Sequence, residues 1–292
     1  CARDKAMILQ PVIHHWRDFN RADRLAGTAS VTMMVLILVA LLAPLLPLDP
    51  PDQVAAHPRL SEPSADLVFG SDNLGRNMLS RVLQGARITI LLSAIAVLLA
   101  SVAGVAIGLI AAYSGKALDE IISRFSDIVF SFPAVLMGLL ITAIVGPGEF
   151  AAICAIILVT LPPIVRVVRA AAMEVTGTDY VTIAWLSGAS PARLLLVNVL
   201  PNISVPVVTQ VAYSISIGML VESALSFLGL GPQPPAASLG SLLREGSVYI
   251  TVAPWLVFGP AIFLVIAIWS TNLIGEGLRV FFDPVRARCL EE

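Results

Sequence analysis

The sequence predicts an all-α, polytopic membrane protein with six transmembrane helices. Hydrophobic residues make up 57% of its 292 residues and charged residues only 13%, whereas soluble domains carry roughly 25% charged residues. The mean hydropathy is +0.89. Charges are therefore too few to cover the surface of a globule, and membrane lipid must cover part of it.

Six apolar runs define the predicted helices, because each is close to the roughly 20 residues that a helix needs to cross the hydrocarbon core. They cover residues 28–48, 88–113, 128–146, 150–170, 203–230 and 250–274. Pro133 interrupts the third run, which a membrane helix tolerates where neighbours satisfy the freed carbonyl group. The remaining segments are an N-terminal one at 1–27, a loop at 49–87, a five-helix core at 88–276 with a second loop at 171–202, and a tail at 277–292.

The distribution of Lys and Arg predicts the orientation of these helices. Thirteen of the eighteen Lys and Arg residues fall on the side that holds the termini, and five fall on the other side. By the positive-inside rule the richer side is cytoplasmic, so both termini and the 171–202 loop are predicted inside and the 49–87 loop outside. The net charge of −2 argues against a nucleic-acid partner, which requires a basic face.

Motifs of enzyme chemistry are missing from the sequence. It contains no GxxxxGK[ST] phosphate-binding loop, no HExxH metal motif and no GxSxG nucleophile elbow. Its three cysteines, Cys1, Cys154 and Cys289, lack the spacing of a metal or redox site. We therefore predict that this chain has no catalytic residue, no metal site and no bound cofactor.

The inner segment at 171–202 has the pattern of two short helices separated by a break. Val181, Ala184 and Trp185 recur at helical spacing. Gly188 suits a helix C-terminus or a close backbone approach, and Pro191 is a good first residue for a second helix. Two interpretations remain open: a docking site for a soluble partner, or a helix resting on lipid head groups.

A stripe of small residues runs along the second predicted helix. Ala100, Gly104, Gly108 and Ala112 occupy every fourth position, so another helix can approach closely along this face. The pattern fits packing within the chain and also fits a seam between two subunits.

The 171–202 segment resembles the cytoplasmic "EAA" loop of ABC importer permeases. The matching positions are Thr182-Ile183-Ala184, Gly188 and the Leu200-Pro201 ending, although the family pattern has Glu and Ala at the first two of these positions. The resemblance implies that this loop couples the chain to cytoplasmic ATPases. The coupling residues it implies are Tyr180, Thr182, Ala184, Gly188, Ala189, Ser190, Leu200 and Pro201.

Three further stretches resemble the C-type subunits of dipeptide, oligopeptide and nickel permeases. They are "FGSDNLGRNMLSRVLQGARITI" at 69–90, "LVESALSFLGLGPQPPAASLGSLLREG" at 220–246 and "NLIGEGLRVFFDP" at 272–284. The resemblance implies the type I ABC importer permease fold and a place in the bacterial inner membrane. It also implies a second, homologous permease subunit, two cytoplasmic subunits that bind ATP and Mg, and an extracytoplasmic substrate-binding protein.

The resemblance favours short peptides as cargo, with nickel or another small solute as the alternative. A rival from a different class is an ATP-independent secondary transporter, which often shows internal repeats and broken helices. No internal repeat is evident in this sequence. The EAA-like loop also argues against the rival.

Several charged residues have two interpretations each. Glu222, an acid within the fifth predicted helix, either lines the translocation path or is bonded structurally to a neighbouring helix. The outer residues Asp72, Arg76 and Arg81 either contact the binding protein or fix an interfacial helix. Asp127 lies three residues after Arg124, and this spacing predicts an ion pair within one helix.

Overall fold

The computed structural model of the chain describes residues 27–28, 31–35, 38, 48–65 and 67–281. Within these ranges the chain contains no β-strand, apart from an isolated bridge between Ser71 and Asn77, and the all-α prediction is confirmed. Most of the predicted first helix, 28–48, lies outside the described residues, as do nearly all of the 1–27 segment and the tail after residue 281. The described positions between 27 and 38 are helical.

Nine α-helices follow from residue 78 onwards in the described part of the chain. They are α1 (Met78–Tyr113), α2 (Gly115–Phe130), α3 (Ala134–Val145), α4 (Glu149–Thr176), α5 (Asp179–Leu186), α6 (Pro191–Arg193), α7 (Ser204–Phe227), α8 (Leu239–Ser247) and α9 (Trp255–Phe281). A π-helical turn, Leu194–Val199, and a 3₁₀ turn, Leu200–Ile203, join α6 to α7.

Four helical stretches in the described residues are long and apolar enough to cross a membrane. They are α1, α4, α9 and the stretch Pro191–Phe227, which runs through α6 and both turns into α7. The helices α2 and α3 pass the same test only as a pair, and they are bent by 91° at the break between them. With this pair as one span, the chain has up to five spans in the part that the structure describes.

The bend corrects the prediction of a simple third helix at 128–146. Helix α2 already begins at Gly115, and the helix breaks between Phe130 and Ala134. Pro133 causes the break, because it has no N–H to donate and it disfavours helical geometry at the residue before it. Sequence hydropathy detected the apolar part of this pair and missed the more polar helix that precedes it.

Helix α1 is longer than a membrane span and extends into the loop that is predicted to lie outside. Its 36 residues span about 54 Å at the rise of an α-helix, whereas the hydrocarbon core is roughly 30 Å thick. The side chain of Asn77 caps its first turn by accepting a hydrogen bond of 3.1 Å from the N–H of Leu79. The last ten residues of the predicted outer loop at 49–87 are therefore helical.

The stripe of small residues on α1 packs against α4 of the same chain. A Cβ atom on Gly104 would lie 2.7 Å from the Cγ2 atom of Ile164, and one on Gly108 would lie 2.7 Å from the Cβ atom of Val168. Ala100 belongs to the same buried cluster as these two α4 residues. The stripe thus serves helix packing within the chain, as the first of the two interpretations proposed.

A compact cap closes the end of the helices that the sequence predicts to lie outside, here called the outer end. Helix α8 buries Leu239 and Leu242 against the start of α1, where Met78 and Val82 lie, and against Leu256 of α9. Leu60 and Phe69 pack onto this cluster. They belong to the part of the predicted outer loop that precedes α1, residues 49–77, here called the outer segment. The ring of Phe69 meets that of Phe263 edge to face at 6.3 Å. The outer segment, α8 and the two long helices α1 and α9 therefore share one core.

Candidate functional site

The segment at 180–202 folds as the sequence predicted, with two helices around a sharp turn. Helix α5 ends at Leu186, and Gly188 has φ +85, a conformation that glycine adopts readily and other residues rarely. The N–H of Gly188 donates to the carbonyl of Trp185 at 2.9 Å. Ser190 caps the next helix and Pro191 is its first residue. The predicted roles of Gly188 at the end of one helix and of Pro191 at the start of the next are therefore confirmed.

One face of this segment is anchored in the helix bundle. Val181, Leu194 and Val199 are almost fully buried and share a cluster with Ile164 and Val168 of α4. The hydroxyl of Tyr180 donates to the carbonyl of Asn198 at 3.3 Å, which links the two halves of the segment. The turn around Gly188 is thus anchored at the end of the bundle that is predicted to be cytoplasmic, here called the inner end.

The opposite face of the segment is apolar and exposed. Ile183, Trp185 and Leu186 expose 62%, 58% and 72% of their surface, and a Cβ atom on Gly188 would meet nothing within 4 Å. A cluster of large exposed apolar side chains indicates a contact surface. The sequence pattern placed the segment correctly but did not single out Ile183 and Leu186.

The remaining residues of the predicted coupling set surround this surface. Thr182, Ser190 and Pro201 are exposed, whereas Ala184, Ala189 and Leu200 are half-buried. The hydroxyl of Thr182, which stands where the family pattern has Glu, donates to the carbonyl of Thr178 in its own helix at 3.2 Å. A neutral hydroxyl cannot form the ion pair that a Glu at this position would allow, and the role of Thr182 in coupling stays a prediction.

Ion pairs at the inner end tie α2 to α4. The guanidinium of Arg169 in α4 donates to both carboxylate oxygens of Asp119 in α2. Arg166 donates to Asp127 at 2.8 Å and lies 5.1 Å over the ring of Phe130. These contacts hold the inner half of the bent pair against the bundle.

The predicted pair between Asp127 and Arg124 is wrong. Arg124 instead pairs with Glu120, one turn earlier, at 2.8 Å. Asp127 pairs with Arg166, 39 residues further along the chain. The bend at residues 131–133 folds α2 along α4, and this places a cation from another helix within reach of Asp127.

A charged cluster at the outer end contains all three residues of the predicted outer site. Asp72 accepts hydrogen bonds from Arg76 at 2.6 Å and from Arg81 at 2.8 Å. Arg81 also binds Glu245 of α8 at 2.6 Å. The side chains of Asp72 and Arg81 are only 4% and 3% exposed, whereas that of Glu245 is 42% exposed.

This cluster joins the outer segment to α8, so it holds two parts of this chain together. The Oδ1 atom of Asp72 also accepts the backbone N–H groups of Leu74 and Arg76, at 2.8 and 2.9 Å. Sequence spacing did not reveal Glu245 because it lies 164 residues from Arg81. Contact of Asp72, Arg76 and Arg81 with a binding protein stays a prediction.

A second polar contact fixes the start of the outer segment. His57 lies 2.8 Å from a carboxylate oxygen of Asp49, and the side-chain amide of Asn77 donates to the same oxygen at 3.1 Å. These hydrogen bonds hold the pKa of Asp49 below its usual value because they stabilise the charged form. Since Asn77 caps α1, the contact ties the outer segment to the beginning of that helix.

Glu222 lies fully buried near the outer end of α7, with no exposed surface. The hydroxyl of Ser226 donates to it at 2.6 Å and that of Ser223 at 3.4 Å. Both hydroxyls belong to α7 itself, so the two roles predicted for Glu222, a bond to a neighbouring helix and a place in a translocation path, both stay predictions.

No metal site is evident among the described residues. They contain no group of three or more His, Cys, Asp or Glu side chains that could hold a metal ion. The carboxylates of the outer cluster, Asp72 and Glu245, are already engaged by arginines.

Comparisons with known proteins identify the family of the chain. The family model for the inner membrane component of binding-protein-dependent transport systems matches residues 104–288. The chain is 36% identical over 290 residues to the di/tripeptide transport system permease protein DppC of Pseudomonas aeruginosa (strain UCBPP-PA14), covering 97% of this chain and 95% of that protein. It is 31% identical over 286 residues to the oligopeptide transport system permease protein OppC of Bacillus subtilis (strain 168), with coverage of 97% and 94%.

A solved structure gives the same fold. A chain of the methionine ABC transporter MetNI in an inward-facing conformation matches with a TM-score of 0.57 and 20% sequence identity, covering 68% of this chain and 94% of that chain. The type I permease architecture predicted from the sequence is thereby supported at the level of the fold. Together, the matches show that this chain belongs to the family of binding-protein-dependent transport system inner membrane components, in its group of dipeptide and oligopeptide ABC permeases.

Proposed function

We propose that this chain is one of the two permease subunits of an ATP-driven importer that carries short peptides across the bacterial inner membrane. Its partners would be a second, homologous permease subunit, two cytoplasmic subunits that bind ATP and Mg, and an extracytoplasmic substrate-binding protein. The chain itself would hold no cofactor. The names of its relatives support peptides as the cargo.

The observation that carries this proposal is the exposed apolar face of the segment at 180–202, here called the coupling segment. Ile183, Trp185 and Leu186 project from a turn whose other face is buried in the bundle. An anchored apolar surface of this kind suits a soluble protein that must push on the permease. The alternative interpretation of this surface is a helix that lies on lipid head groups, and substitution of Leu186 distinguishes the two.

The path from this surface into the membrane is short. The segment continues through Pro191 into one helical stretch that ends at Phe227. A continuous helical stretch packed against its neighbours can transmit displacement along its length. Closure of the ATPases around ATP would therefore tilt this stretch and shift the chain between inward-facing and outward-facing forms.

Uptake by the reconstituted complex tests the cargo and the energy source. Proteoliposomes with both permease chains, the ATPases and the binding protein should accumulate a labelled dipeptide only when ATP is present on the side of the membrane that carries the ATPases. Unlabelled di- and tripeptides should compete, and nickel salts should not. Accumulation of nickel without competition by peptides would assign a different cargo, and uptake that needs an ion gradient in place of ATP would support a secondary transporter.

Cysteine labelling tests the proposed orientation. In a background without the three native cysteines, Ala117→Cys and Ser190→Cys should react with a membrane-impermeant maleimide only from the cytoplasmic side. Val248→Cys should react only from outside. All three positions are exposed in this chain, so reactivity reports sidedness. Labelling with the opposite sidedness would invert the orientation and remove the coupling segment from the ATPases.

A further inference from the structure

The second half of the coupling segment changes its helical form twice before α7 begins. Leu194–Val199 is a π-helical turn and Leu200–Ile203 is a 3₁₀ turn. The N–H of Leu200 donates to the carbonyl of Leu195, five residues earlier, whereas an α-helix uses the carbonyl four residues earlier. Irregular turns of this kind inside a helix occur frequently at functional sites.

Pro201 accounts for part of this irregularity. It lies in the 3₁₀ turn and has no N–H, so it cannot donate to the carbonyl of Val197, four residues earlier. Kinks in helices concentrate at prolines and at π-helical turns. The two irregular turns are therefore the part of the Pro191–Phe227 stretch that bends most easily.

The backbone carbonyl of Asn198, in the π-helical turn, accepts hydrogen bonds from two side chains. The side-chain amide of Asn202, in the 3₁₀ turn, donates to this oxygen at 2.7 Å. The hydroxyl of Tyr180, in α5, donates to the same oxygen at 3.3 Å. One oxygen atom thus connects α5 with both irregular turns, and we call these three residues the Asn198 node.

Packing holds the same turns against the helix bundle. Val199 and Ile203 are buried and share a cluster with Ile164 of α4. Apolar burial is non-directional, so it holds the turns against α4 without setting their angle to α5. Hydrogen bonds are directional, and the two that meet at the Asn198 node set this angle.

We propose that Tyr180 and Asn202 are positioning residues that stiffen the coupling segment, so that the push of an ATPase on α5 reaches α7 instead of bending the two irregular turns. The proposal rests on the proposed function, because it assumes that an ATPase drives this segment. An ATPase docked on the apolar face of α5 would exclude water from the neighbouring node, and hydrogen bonds strengthen where water is excluded. The node is then stiffest when the ATPases are bound.

Tyr180→Phe tests the proposal, because it removes one donor of the node and keeps the aromatic ring. Tyr113→Phe is the matched control, since Tyr113 ends α1 and is 38% exposed, against 45% for Tyr180. The Tyr113 hydroxyl makes no hydrogen bond with the part of the chain that the structure describes. Both variants are measured in the full reconstituted complex, as peptide taken up per ATP hydrolysed, copurification of the ATPases and melting temperature.

For Tyr180→Phe we expect the peptide taken up per ATP hydrolysed to fall about fivefold below that of Tyr113→Phe, the factor that corresponds to a hydrogen bond of about 1 kcal/mol. Copurification of the ATPases and the melting temperature should equal those of the control, because docking and packing are unchanged. Loss of copurification would show that the hydroxyl serves docking and would overturn the positioning role. A ratio of uptake to hydrolysis equal to that of the control would also overturn the proposal.

Two variants of Asn202 differ from each other in one hydroxyl group. In a helical turn the hydroxyl of a Thr donates to the carbonyl four residues earlier, which here is that of Asn198, whereas Val has the same shape and no hydroxyl. Asn202→Thr should therefore keep at least half of the uptake per ATP, and Asn202→Val should lose as much as Tyr180→Phe. Equal values for the two variants would contradict the proposal. If an Asn202 variant fails to assemble, the comparison between Tyr180→Phe and Tyr113→Phe decides.

The unaltered complex separates this proposal from the proposed function. Its failure to take up peptide when ATP is present would count against the function itself. In a complex that transports peptide, an unchanged ratio in Tyr180→Phe counts against the Asn198 node alone.

Discussion

Asp72→Ala should release the outer segment from the helix bundle. Its carboxylate accepts hydrogen bonds from two backbone N–H groups and from the side chains of Arg76 and Arg81. Only 4% of the Asp72 side chain is exposed. Without it, Arg81 would keep Glu245 as its one carboxylate partner among the described residues. Removing one partner from a buried ion pair costs about 3–5 kcal/mol, so trypsin cleavage after the exposed Arg59 should accelerate at least tenfold in right-side-out vesicles.

Asp52→Ala is the matched control for this experiment, since Asp52 is an exposed carboxylate in the same outer segment. Its cleavage rate should equal that of the unaltered chain. The comparison also separates the two interpretations of the outer charges. If Asp72→Ala keeps normal protease resistance but weakens binding of the binding protein, the cluster is a docking site and its internal role is minor.

The sequence predicted those parts of the structure that depend on local chemistry. The break at Gly188 and the helix start at Pro191 are set by the backbone preferences of single residues, and both are observed. Four of the predicted spans correspond to long helices because burial in lipid requires a continuous apolar run. The glycines at 104 and 108 predicted close packing of two helices, and the structure identifies α4 as the partner helix.

The features that sequence missed depend on contacts between distant parts of the chain. Arg124 and Asp127 have helical spacing, yet Arg124 pairs with Glu120 of its own helix. Asp127 instead meets Arg166, because the bend after Phe130 brings α2 against α4. Glu245 belongs to the outer cluster only because α8 folds back onto the start of α1. No local pattern encodes either event.

At the candidate site, too, local sequence predicted one part of the structure and missed another. A resemblance in sequence located the coupling segment, but it gave no information on which side chains face outward. Thr182, at the position where the family pattern has Glu, uses its hydroxyl within its own helix. The exposed surface is formed by Ile183, Trp185 and Leu186. Apolar contact, rather than an ion pair, is therefore the physical basis we expect for docking.

Leu186→Asp should abolish coupling between this chain and its ATPases. Leu186 is 72% exposed and contributes to the apolar face of α5, so the substitution should leave insertion and folding of the permease intact. A carboxylate buried without a partner in an apolar contact costs several kcal/mol. We expect copurification of the ATPase subunits and ATP-driven peptide uptake each to fall at least tenfold.

Val54→Asp provides the control for introducing an acid at an exposed apolar position. Val54 is 55% exposed in the outer segment, on the side predicted to face away from the cytoplasm, so its substitution should not affect copurification of the ATPases. Normal copurification and uptake with Leu186→Asp would show that the apolar face of α5 is not the docking surface. The alternative that α5 rests on lipid head groups would then be favoured, because an added carboxylate beside the head groups disturbs no protein contact.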